Sequence, residues 1–120
     1  MAMNVLLVAI GGFLGAVTRF SISKSVLSTV SVRYPFATLL INLSGSFLLG
    51  LLSGMKADPV IMLLAGTGFM GAFTTFSTLM LELVKMVKSG ERKGFLFYLA
   101  ITFCGGALLA FAGYTIGGFI

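Results

Sequence analysis

The chain has 120 residues, 58% of them hydrophobic, and a mean hydropathy of +1.14. Charged residues make up only 9%, eight Lys/Arg against three Asp/Glu, where a soluble domain carries roughly 25%. That balance excludes an ordinary soluble enzyme, a disordered tail and a secreted disulfide scaffold. The net charge of +5 does not point to nucleic acid, because the basic residues fall in short loops and not on one soluble face. Uncharged runs cover 1–18, 34–55, 59–81 and 94–120. Each reaches or approaches the ~20 residues a helix needs to cross a bilayer. The sequence therefore predicts an all-α membrane protein with four transmembrane helices in a single domain.

The first span is read as 3–23. It has no basic n-region, and Arg19, Lys24 and Arg33 follow the apolar stretch, so it is not a secretory signal. Arg19 lies near the end of the span. It can snorkel to the interface, or serve as a fixed positive charge in a vestibule that concentrates anions.

The second span, 36–55, opens with Pro35 suited to its first turn. Asn42 sits midway along it, with Ser46 one turn later and Ser44 nearby. A buried amide without partners costs roughly 2–7 kcal/mol, so Asn42 must face protein or water. An interhelical hydrogen bond and a place on a polar pathway both satisfy that requirement.

The third span, 59–88, has Asp58 as N-cap and Pro59 at the first helical position. Lys85 and Lys88 complement the dipole at its end, where Ser89–Gly90 supplies a stop. Its middle is unusual. Gly66, Gly68 and Gly71 are followed by Thr74, Thr75, Ser77 and Thr78, all poor helix formers whose hydroxyls compete for backbone bonds. Irregular backbone at membrane depth survives only when buried in protein or lining a cavity. A break near 71–77 is expected, packed at a subunit interface; a continuous helix with hydroxyls bonded to the preceding turn is the alternative. The three glycines also match G-x-G-x-x-G, but without a preceding strand or a suitably placed acid the match is accidental.

The fourth span, 94–118, carries Tyr98 and Thr102 on one face, with Gly105 and Gly106 one turn on. Cys104 is the only cysteine and there is no His, which excludes a disulfide framework and a Cys/His zinc site. Cys104 reads as a small filler.

Glycines four apart recur at Gly11 and Gly15, Gly50 and Gly54, and Gly113 and Gly117. Small residues at this spacing let membrane helices approach closely. Four helices enclose little volume, so an oligomer interface is expected among these contacts. No Asp or Glu falls within the first, second or fourth span, and Glu82 lies toward the end of the third. A proton-coupled cation exporter needs an intramembrane carboxylate. The inventory is instead neutral donors, one Arg and 12 Phe, whose ring edges carry the positive end of the quadrupole. These groups suit an anion, and Phe73 and Phe76 flank the expected break.

Three segments carry a resemblance: GGFLGAVTRF (11–20), PFATLLINLSGSFLLG (35–50) and GFMGAFTTFSTLMLE (68–82). They resemble the first-, second- and third-helix signatures of the Fluc family of fluoride channels, also called CrcB proteins, over almost the whole chain. The resemblance implies an antiparallel dimer with two pores, passive and selective for fluoride over chloride. It implies a structural sodium ion at the dimer centre, held by the backbone carbonyls of Gly71 and Thr74 from both subunits. It further implies a pore-lining ring at Phe76, donors at Asn42, Ser77 and Thr78, and a polar track beginning at Tyr98 and Thr102. Arg19 matches the vestibule charge and Glu82 an acidic position after the break. Two departures stand out. Leu79 occupies a position where many members carry a second Phe, and Gly106 and Ala110 offer no hydroxyl to continue the track.

Charge placement adds an orientation. Lys24, Arg33, Lys85, Lys88, Arg92 and Lys93 occupy loops one and three, against Lys56 alone on the opposite side. The bias places loops one and three in the cytoplasm and both termini outside. The expected function is thus a fluoride-selective channel in the cell membrane, not an enzyme. Its partners are fluoride, the lipid bilayer and either a second copy or an oppositely oriented paralogue, with no nucleic acid. The alternatives are a small multidrug-type antiporter and a non-conducting membrane scaffold.

Overall fold

The computed structural model describes residues 1–29 and 36–120, with side chains from 1–25 and 37–120. Arg33 and Pro35, used above for orientation and for a helix start, lie outside the described residues. Helix α1 spans Ala2–Thr29 and α2 spans Phe36–Gly54. Helix α3 covers residues 59–73 and contains a π-helical stretch, Met62–Met70. After an interruption at 74–76, α4 runs over Ser77–Lys88. Helix α5 spans Arg92–Gly118, with a π-helical turn at Ile101–Gly105. No strand occurs among the described residues. Among the described residues, four stretches are long and apolar enough to cross a membrane: Ala2–Ser25, Ala37–Gly54, Pro59–Lys88 and Arg92–Gly118.

Local chemistry sets the helix ends. The Asp58 carboxylate accepts the Val60 N–H at 3.0 Å, and Pro59 occupies the first position, where its missing N–H costs nothing. Lys56, in the turn before, adopts the left-handed region at φ 53°. At the far end of α4 the Ser89 hydroxyl donates to the Lys85 carbonyl at 2.9 Å, and Gly90 turns the chain at φ 78°.

The glycines set the packing. The Leu64 and Phe69 carbonyls of α3 lie where Cβ atoms of Gly11 and Gly15 would stand, and a Cβ on Gly68 would come within 2.8 Å of the Val8 carbonyl oxygen. Helices α2 and α5 interlock the same way in both directions. Gly50 and Gly54 rest on the Ala110 and Tyr114 carbonyls, while Gly113 and Gly117 rest on those of Phe47 and Leu51. All three small-residue pairs are therefore spent within one chain. The expectation that they include an oligomer interface is corrected, because each glycine face is already filled by backbone of the same protomer.

Side-chain burial is slight and falls into two clusters. Ile41, Met70 and Phe73 pack where α2 meets the end of α3, and Leu79, Leu83, Met86 and Tyr98 pack between α4 and α5. Large apolar side chains such as Phe13, Phe20, Leu108 and Phe111 remain exposed. In water such a surface would aggregate; in hydrocarbon it is the solvent-matched face.

Candidate functional site

The interruption between α3 and α4 is built by hydroxyl chemistry. Thr74 makes the last helical bonds of α3, its N–H and hydroxyl both reaching the Met70 carbonyl, at 3.0 and 2.8 Å. Its own backbone is extended, at φ −79° and ψ 158°. The Thr75 hydroxyl then accepts the Thr78 N–H at 3.2 Å, capping the start of α4. Between these caps the backbone of Thr75 is held from outside the helix. Its N–H donates to Asn42 Oδ1 at 2.9 Å, and its carbonyl accepts from Asn42 Nδ2 at 3.0 Å. One side-chain amide thus replaces both bonds that a continuous helix would have made at that residue.

This arrangement removes helical donors from two carbonyls. The N–H four residues after Gly71 is committed to Asn42, and the N–H four residues after Thr74 is committed to the Thr75 hydroxyl. A Cβ at Gly71 would meet nothing within 4 Å, so that residue faces open space. Unwound carbonyls of broken membrane helices are sodium ligands by chemistry, so the residues fit the expected ion. No group of three or more His, Cys, Asp or Glu that could hold a metal occurs among the described residues. Gly71 and Thr74 would hold such a cation through main-chain oxygen.

An open cavity of about 460 Å³ lies beside the break. It brings together Asn42 and Ser46 of α2, Thr67 and Gly71 of α3, Thr74, Phe76, and Thr102 of α5. Phe76 is 68% exposed and projects its ring at this opening. Asn42 uses one Nδ2 hydrogen on Thr75, which leaves the second donor of that amide. Ser46 Oγ stands 3.3 Å from where a Cβ of Gly106 would be. The hydroxyl that α5 lacks at Gly106 is thus supplied from α2.

Thr102 is anomalous. Thr18, Thr74 and Thr115 each bond back to the carbonyl four residues earlier, at 2.7–3.0 Å. Thr102 does not, and its buried hydroxyl has no partner. It lies in the π-helical turn, where the wider winding displaces the carbonyls from their α-helical places. The Tyr98 hydroxyl, one turn earlier, is likewise buried without a hydrogen bond.

Several expected residues lie off the cavity. Tyr98 is buried in the α4–α5 cluster, with the Thr38 hydroxyl and the Glu82 carboxylate near its own oxygen. Glu82 accepts a hydrogen bond from Thr38. Ser77 and Thr78 are exposed on the first turn of α4, and Arg19 is half-exposed on α1. None of these five expected residues lines the cavity. Leu79, at the position of the incomplete aromatic pair, is 3% exposed and lies at once in the α4–α5 cluster and along the cavity. Thr38 and Thr67 were not singled out from sequence, and Thr75 only as one of the hydroxyls of the expected break. Thr38 lies one turn before Asn42 on the same face of α2, a spacing that would have found it.

A four-span membrane protein with its third span broken, and with hydrogen-bond donors gathered around the break, is the class that this geometry defines. Residues 6–114 match the family model described as CrcB-like protein, Camphor Resistance (CrcB). The chain belongs to this family. It is 50% identical over 113 residues to the fluoride-specific ion channel FluC 2 of Bacillus thuringiensis subsp. konkukian, covering 94% of this chain and 96% of that one. FluC 1 of Geobacillus kaustophilus is 50% identical over 112 residues, covering 93% and 96%. FluC 1 of Listeria monocytogenes is 42% identical over 117 residues, covering 98% and 99%.

Proposed function

We propose that this chain is a fluoride-selective ion channel that lets fluoride cross the membrane down its gradient. The observation that carries the reading is the buried, unpartnered hydroxyl of Thr102, which lines the cavity. A buried hydroxyl without an acceptor costs about 1–3 kcal/mol, and a small dehydrated anion is an acceptor that fits beside it. Asn42, Ser46 and Thr67 add neutral donors along the cavity, and Phe76 adds a ring whose edge carries partial positive charge. Conduction through such a row needs no covalent step. It requires donors that replace hydration without binding too tightly for release. Ser77 and Thr78 extend the donors to the first turn of α4, Arg19 supplies a vestibule charge, and Glu82 with Thr38 flanks Tyr98.

The same reading assigns a structural sodium ion to the Gly71 and Thr74 carbonyls. Two carbonyls are too few for that ion, which supports a dimer in which a second chain supplies the rest; the resemblance implies that the two chains run antiparallel. The partner is an identical chain or an oppositely oriented paralogue. The charge bias supports both termini lying outside the cell membrane.

Fluoride efflux from liposomes reconstituted with the purified protein, with chloride as control, tests the proposal. Fast fluoride efflux with chloride retained is expected. Retention of both ions, including after co-expression with a paralogue of opposite charge bias, would overturn it.

A further inference from the structure

The two ends of the helical bundle differ sharply in charge. At the turn joining α4 to α5, Lys85, Lys88, Arg92 and Lys93 are all exposed. Glu91, the one acid in that turn, is half-buried and has an interaction of its own. Lys24, exposed near the end of α1, adds a cation to the same end of the bundle. At the opposite end Lys56 is balanced by Asp58 two residues on. The basic turn has an apolar flank. Val84 and Val87 of α4 and Leu96 and Phe97 of α5 lie within two turns of the cations and are 49–69% exposed.

We propose that the α4–α5 turn is a binding surface for anionic phospholipid, with the phosphate among Lys88, Arg92 and Lys93 and the acyl chains along Val84, Val87, Leu96 and Phe97. The charge argument selects an anionic group, since cations near an acidic membrane surface each strengthen binding about fivefold. The flank favours a lipid over free phosphate, because a lipid engages the cations and these four side chains together whereas phosphate engages the cations alone. The arginine fork suits a phosphodiester, and the lysines supply mobile point charges around it. None of these residues lines the cavity at the break, so the surface is independent of the ion pathway.

The test uses the purified full chain in neutral detergent, titrated with phosphatidylglycerol, phosphatidylcholine or inorganic phosphate while the thermal midpoint is read. Phosphatidylglycerol should raise the midpoint, and phosphatidylcholine and inorganic phosphate should not. In the triple variant Lys88→Gln, Arg92→Gln, Lys93→Gln the phosphatidylglycerol concentration for half-effect should rise about 100-fold. Lys56→Gln should leave it unchanged. Should the triple variant fail to fold, the charge-preserving Lys88→Arg, Lys93→Arg variant must keep the wild-type response, and 0.5–1 M salt, roughly enough to screen beyond a few ångströms, must abolish it. Equal responses to the two lipids, a full response to inorganic phosphate, or an unaltered titration in the triple variant would overturn the proposal.

Discussion

Asn42 does two jobs with one amide. It holds the backbone of Thr75 in both directions and still lines the cavity. Asn42→Asp separates those jobs, because it keeps the acceptor for the Thr75 N–H and sets a carboxylate oxygen against the Thr75 carbonyl. The variant should lose about 2–4 kcal/mol of stability, read as a lower thermal midpoint in detergent, and should suppress fluoride passage. Thr102→Val tests the opposite case. Removing an unpartnered hydroxyl leaves stability unchanged or raises it by about 1 kcal/mol, while fluoride efflux should fall several-fold; unchanged efflux would remove Thr102 from the pathway. Phe76, 68% exposed, should tolerate Ile without loss of folding, yet flux should collapse with the ring edge gone. At this scale the sequence was half legible. The cost of a mid-membrane amide marked Asn42, but its partner lies 33 residues away on another helix, and no local pattern encodes that pairing. Thr38 and Glu82 escaped as a pair for the same reason.

Among the elements, α2 and α5 are closely apposed, since each presents glycines to the other's carbonyls. Gly113→Ala must push a methyl into the Phe47 carbonyl, and with backbone on both sides no side chain can yield. The cost should be about 1–3 kcal/mol or more, measured by denaturation in detergent. Gly118→Ala, where a Cβ meets nothing within 4 Å, is the matched control and should change stability by under about 1 kcal/mol. The four-span all-α architecture was legible because hydrocarbon thickness and charge exclusion act on every residue of a span. The interruption was legible because four hydroxyls and three glycines depress helix formation locally. The π-helical stretches were not. Each alters the winding without changing hydropathy, so the sequence carried no sign that Thr102 would be denied its customary acceptor.

On the scale of the whole molecule, charge asymmetry is the property that reaches furthest. Five cations on one end, with Arg33 beyond the described residues, should drive one orientation during insertion. Reporter tags on both termini check this: external signal from both is expected, and equal internal and external populations would refute the bias. The sequence misled on one point. Repeated small-residue pairs were legible as close contacts, but spacing cannot distinguish a neighbour in the same chain from one in another. Both glycine seams proved to be internal.

Those seams also bear on how the chain can change over generations. Every possible substitution of a glycine adds at least one carbon, so a site already touching carbonyl oxygen has no smaller alternative. Gly11, Gly15, Gly50, Gly54, Gly68, Gly113 and Gly117 are in that position at once. Drift is thereby channelled to the outward faces, where one apolar side chain replaces another at little cost in lipid. The fold is held less by what its side chains are than by seven places where none is permitted.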